Sequence, residues 1–143
     1  MPAPGTLYCI KAVLNVNGKP ITVMTVHTQP RYMLLQPVYT AQGSPQMNSL
    51  LNMIPRNGPT LMMGDFNFTD QSSDYKVLAR SRLHDTFREV GWGFGATWPV
   101  HVGGINRFMP VARLDYIWHS DEFQARSVRI GSCLLYTSPS PRD

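Results

Sequence analysis

Between residues 21 and 64 the hydrophobic period changes from strand to helix and back, and this change constrains the fold more than any other feature of the chain. Ile21 to Thr28 is a short, β-branched apolar run of the kind that forms a buried strand. Ser44-Pro45 reads as an N-cap followed by the first helical residue, and Met47, Leu50, Leu51 and Ile54 then recur on one face at helical spacing. Pro55-Arg56-Asn57-Gly58-Pro59 breaks the helix, and Thr60 to Met63 is a second apolar strand ending in Gly64. Strand, helix and strand in that order make a right-handed crossover with the strands parallel, which places the chain in the α/β class. Upstream, Asn17-Gly18 separates the strand-forming run Leu7 to Asn15 from the first crossover strand, and this dipeptide accommodates a tight hairpin turn. The chain therefore opens with a β-hairpin.

Downstream, Ser73 predicts the N-cap of a second helix running through Tyr75, Val77 and Leu78, with a short continuation from Asp85 to Val90 closed by Gly91. A Gly- and Trp-rich loop follows from Gly91 to Pro99, then a second loop around Val102-Gly103-Gly104. Ala112 to His119 is predicted as a buried strand and Ala125 to Ile130 as another. With 143 residues, 43% of them hydrophobic and 15% charged, this pattern describes one globular domain or part of one and excludes a disordered or collagen-like chain. No segment approaches the roughly 18 apolar residues of a membrane span. Cys9 and Cys133 are too few and too far apart to suggest a disulfide framework or a structural zinc site. The formal charge of +4 is compatible with phosphate-bearing partners, but a soluble surface explains it equally well.

Three segments carry chemistry. Gly64-Asp65-Phe66-Asn67 sits where a buried strand ends, the place where open α/β sheets put their ligand groups. Asp65 supplies a carboxylate for a hard cation or a water, and Asn67 an amide. In an extended backbone these two side chains point the same way while Phe66 enters the core; the tetrapeptide also fits an Asx-turn after a strand. His27 closes the strand before it, and the parallel crossover brings His27 and Asp65 to one rim. Asp115 lies in the otherwise apolar Arg113-Leu114-Asp115-Tyr116-Ile117-Trp118, where a buried carboxylate needs a partner, either Arg113 or a histidine that it orients.

At these segments the chain resembles the endonuclease/exonuclease/phosphatase superfamily. The resemblance rests on Thr25-Val26-His27, Gly64-Asp65-Phe66-Asn67, the phrase Asp85 to Gly91 with Thr97-Trp98-Pro99, and Arg113-Leu114-Asp115-Tyr116, and it runs from Tyr8 to about Ile130. It implies a portion of a four-layer α/β sandwich with mixed β-sheets. It also implies a phosphoesterase using magnesium, or manganese in its place, on a phosphate-ester substrate: nucleic acid, nucleotide, lipid headgroup or sugar phosphate. Asp65 would position or deprotonate the attacking water, Asn67 would hold the phosphate or the metal with Asp65, His27 would contact the scissile phosphate, and Asp115 would orient a second histidine. That histidine belongs to a Ser-Asp-His strand which the chain does not carry, and His119 is too close to Asp115 on one strand to replace it. The family's N-terminal half, with a strand Asn and the Glu that is its principal metal ligand, is also missing.

The C-terminal run Cys133 to Asp143 resembles the translation of a transposon-end sequencing adapter and is set aside, leaving residues 1–132 as a partial domain and 133–143 as a tail. On this reading the chain alone is expected to be hydrolytically silent and marginally folded. The alternative reading is a non-catalytic phosphate- or nucleic-acid-binding module, suggested by the basic excess and by Arg107, Arg113, Arg126 and Arg129, which are scattered rather than interleaved with aromatics. Substrate and localisation are not readable.

Overall fold

The computed structural model describes residues 7–29, 43–98 and 112–131. Strands β1 (Tyr8–Val16) and β2 (Lys19–His27) form the hairpin, and Asn17 and Gly18 both adopt positive φ, 52° and 80°, as its two-residue turn requires. Helix α1 (Pro45–Met53) follows, capped by Ser44, whose hydroxyl accepts from the Met47 amide at 3.1 Å. Strand β3 (Thr60–Asp65) then pairs with β2 in parallel, as the crossover rule requires. Helix α2 (Ser73–Leu78), strand β4 (Leu83–Asp85), helix α3 (Thr86–Val90) and strand β5 (Asp115–Ser120) complete the described elements. The sheet is mixed and five-stranded, in the order β1-β2-β3-β5-β4.

The two faces of this sheet have opposite surroundings. Met24, Val26, Met62, Tyr116 and Trp118 point to one face and pack with Met47 and Leu50 of α1 and Tyr75 and Leu78 of α2 into a single core. The Tyr75 ring lies 5.3 Å from that of Trp118, and the Phe66 ring meets Tyr116 edge-on at 5.7 Å. Helices α1 and α2 are pinned to each other through Ser44, whose amide and hydroxyl both donate to Asp74 (2.6 and 2.8 Å). The other face carries Ile10, Leu14 and Ile117, all exposed; Ile10 keeps 72% of its surface. One side of the sheet is thus closed by helices, and the opposite side stays open among the described residues.

Several sequence expectations are corrected. Ser72, not Ser73, caps α2, accepting from the Tyr75 amide at 3.1 Å. The helical segment expected from Asp85 to Val90 is present as α3, with Asp85 as its N-cap and Gly91 as its C-cap, but a short strand not expected from sequence, β4, separates it from α2. Ala112–Leu114 lie outside β5; Ala112 makes only an isolated bridge to Trp98. Ala125 to Ile130 is not a strand. Both edges of β5 are already paired, to β3 and to β4, so the segment after it has no adjacent edge to join. The loop at Val102-Gly103-Gly104, Arg107 and the tail from Cys133 lie outside the described residues. The α/β class holds, while a second sheet of the four-layer sandwich is not seen among the described residues.

Candidate active site

Strand register builds the site. His27 pairs with Asp65 across β2 and β3, Asp65 pairs with Asp115 across β3 and β5, and Tyr8 pairs with His27 across β1 and β2. Residues in register share a face, so Tyr8, His27, Asp65 and Asp115 form one row across four strands, on the open side of the sheet, with neighbouring strands about 4.8 Å apart. The expected common rim of His27 and Asp65 is therefore present, and Asp115 joins it.

Glycine makes the junction of β2 and β3 possible. Gly64 has φ 146°, and a Cβ there would lie 1.9 Å from the Val26 carbonyl oxygen. Just beyond, the chain turns instead of staying extended. Asn67 takes φ 47°, and its amide donates to Asp65 Oδ1 at 2.8 Å, an Asx-turn. Asp65 and Asn67 are thus brought together by a turn rather than by strand alternation, while Phe66 is fully buried as expected. The Asn67 side-chain amide donates to the Thr28 carbonyl at 2.7 Å, the Thr28 hydroxyl donates to the Phe66 carbonyl, and the Thr28 amide donates to the Asp65 carbonyl at 3.1 Å. Thr28, expected from sequence as the last residue of the strand-forming run, lies just past β2 and locks the two strand ends to each other.

Asp115 departs from expectation. It is exposed rather than buried, so it has no desolvation to offset, and Arg113 is not its partner. The Arg113 guanidinium instead forks onto Asp85 at 3.0 and 2.6 Å, with both side chains almost fully buried, and lies over the Tyr116 ring at 4.5 Å on the helix-covered side. Backbone amides of Leu114 and Asp115 donate to the Thr97 hydroxyl at 3.1 and 3.3 Å, which ties the loop after α3 to the start of β5. His119 sits at the far end of β5, buried, with Nε2 2.9 Å from Glu89, and has no part in the row.

Burial raises the Asp65 carboxyl above the ordinary aspartate value; the Asn67 amide opposes this, the Asp115 charge adds to it, and His27 opposes it. The net rise marks a carboxylate placed in partial burial beside a like charge, with no cation paired to it among the described residues. An open depression of about 540 Å³ adjoins His27, and another of about 320 Å³, lined by Met63, Phe87, Thr97, Ile117 and Arg129, adjoins Asp115. Arg129, counted from sequence as one of several scattered arginines, lines this second depression together with Asp115.

The sequence family described as Endonuclease/Exonuclease/phosphatase family matches residues 12–139. No curated protein matches the chain in sequence. Among solved structures, a family protein from Leptotrichia buccalis is 20% identical with TM-score 0.55, over 80% of this chain and 42% of that one. The human Nocturnin catalytic domain with bound sulfate anion is 20% identical with TM-score 0.55, over 79% and 41%. A mannosyl-6-phosphatase of Bacteroides thetaiotaomicron is 16% identical with TM-score 0.51, over 73% and 38%. At these identities the structures show a shared fold, and the chain spans less than half of each. With the sequence match covering most of the chain and the fold agreeing, the chain belongs to the endonuclease/exonuclease/phosphatase family.

Proposed function

We propose that this chain supplies part of the catalytic site of a divalent-metal-dependent phosphoesterase, with His27, Asp65, Asn67 and Asp115 in working roles. The observation that carries the reading is the row of His27, Asp65 and Asp115 in register on one open face, with the Asp65 proton affinity raised. The family match and the phosphatase named among the structural neighbours support hydrolysis of a phosphate ester.

The donor set is suited to a hard cation. Asp65 and Asn67 offer oxygens held close by the Asx-turn, and magnesium commonly uses one or two carboxylates with water completing its shell. No group of three His, Cys, Asp or Glu able to hold a metal forms among the described residues, so Asp65 and Asn67 would furnish only part of a coordination shell. Magnesium, or manganese in its place, would polarise the phosphoryl oxygen and stabilise the leaving group.

The remaining chemistry falls to the protein. Asp65, half-buried and raised in pKa, orients a water and takes its proton as the water attacks in line. His27, exposed beside it, donates a hydrogen bond to a phosphate oxygen as charge builds there. The Asn67 side-chain nitrogen is engaged by the Thr28 carbonyl, so its carbonyl oxygen is the atom that would hold the metal. Asp115, exposed at the end of the row, would accept a hydrogen bond from an imidazole and orient it.

In a chain extended to the length of its relatives, Asp65→Asn should lower turnover of a simple phosphodiester by about 10²- to 10⁴-fold, and chelation should abolish turnover in the parent. Wild-type turnover in the variant would remove Asp65 from the mechanism. Phosphate-ester binding that persists in chelator without any hydrolysis would favour the binding-module reading.

A further inference from the structure

Trp92 and Phe94 keep 95% and 99% of their surface exposed, the largest apolar exposure in the described chain. Their loop is held, not dangling. Gly91 and Gly95 lie so close to Phe87 that a Cβ on either would stand 2.5 Å from its atoms, and Gly93 and Gly95 take φ of 81° and 65°. The loop's far end is bonded in both directions between Trp98 and Ala112, and Thr97 receives the Leu114 and Asp115 amides. A backbone wrapped tightly around Phe87 therefore drives two large aromatic side chains outward, on the rim that carries Asp115. Phe94 is three residues from Thr97, at most about 11 Å along the chain.

We infer that this aromatic loop is a docking element for a lipid surface. Two features select that occupant. Trp and Phe on a rigid tip are suited to the boundary between water and apolar phase, where the rings leave water without needing a shaped protein cavity. From Val90 through Trp98 the described loop contains no charged side chain, within a chain of formal charge +4, so nothing in the loop itself repels an anionic headgroup layer. A groove for single-stranded nucleic acid would instead place several cations between the aromatics to follow the phosphates, and this segment does not. Docking through Trp92 and Phe94 would bring the rim with Asp115 to the headgroup level. The inference is independent of the catalytic reading, because binding is measured without turnover.

Co-sedimentation of the 143-residue chain with phosphatidylcholine vesicles, with and without phosphatidylserine, tests it. Wild type should pellet with vesicles, more strongly on the anionic ones. Trp92→Ser with Phe94→Ser should weaken partitioning about tenfold or more without changing the thermal midpoint, while Trp92→Phe with Phe94→Leu should retain it. The open sheet face is the competing sticky surface, so Ile10→Ser with Leu14→Ser serves as the control and should leave vesicle binding unchanged. Failure of the wild type to pellet, equal binding by the double Ser variant, or loss of binding in the sheet-face control would each overturn the inference. So would a loop-dependent affinity for a single-stranded oligonucleotide that exceeds the affinity for vesicles.

Discussion

Asp65 and Asp85 each end a strand of the same sheet, and their surroundings are opposite. Asp85 has its acceptor capacity filled: the Arg113 fork, the Tyr75 hydroxyl at 2.9 Å, and the Phe87 and Arg88 amides at 3.0 and 3.4 Å as N-cap of α3. Asp65 has one short amide contact and faces a second carboxylate. A carboxylate whose lone pairs are all used holds the fold together. One left with spare lone pairs beside a like charge is arranged for a group that arrives from outside. The comparison separates structural from functional acids by their partners, since both close a strand of one sheet.

Asp85→Ala should break this contrast most forcefully. It strands the buried Arg113 guanidinium, whose charge burial disfavours and Asp85 chiefly offsets, and removes the α3 cap; a loss of about 3–5 kcal/mol in urea unfolding is expected. Replacing both partners, Arg113→Met with Asp85→Leu, should cost less than Asp85→Ala alone, and a larger loss in the double variant would show that the pair is more than mutual neutralisation.

At the rim the effects should be kinetic. In a family-length chain, His27→Ala should lower kcat by about 10²- to 10³-fold with KM little changed, because its hydrogen bond is realised as charge develops. A raised KM with unchanged kcat would make His27 a binding residue. Gly64→Ala tests the scaffold beneath: with a Cβ 1.9 Å from Val26 O and φ at 146°, about 1–3 kcal/mol of strain is expected, read as a lowered thermal midpoint and displaced Asp65 and His27 resonances. An unperturbed midpoint would mean that the β2 and β3 ends can separate without cost.

The smallest effect has a diagnostic sign. Asp65 has a folded pKa raised above its unfolded value, so its ionisation opposes folding: the contribution is nil below the ordinary aspartate range, and stability falls as pH rises through the raised folded pKa. Asp65→Asn should therefore stabilise the chain slightly near neutral pH, by about a few tenths of a kcal/mol after solvent screening of a partly exposed group, and the gain should vanish in acid. Destabilisation at neutral pH would show that Asp65 is held by an attraction the described contacts do not contain.

Local signals in the sequence determined the hairpin, α1 and the parallel crossover, and through them the meeting of His27 with Asp65. Turn chemistry at Asn17-Gly18, the cap at Ser44-Pro45 and the handedness of a strand-helix-strand unit each act within a few residues or admit one topology. Only the tertiary structure decided that Arg113 turns to Asp85 rather than Asp115, that Leu83–Asp85 is an edge strand, and that Ala125 to Ile130 stays out of the sheet. Each depends on which strand edges remain free and which face a side chain enters once β5 lies between β3 and β4. A one-residue change in where a strand begins sends its side chains to the other face, and that starting point is set by pairing partners distant in the chain.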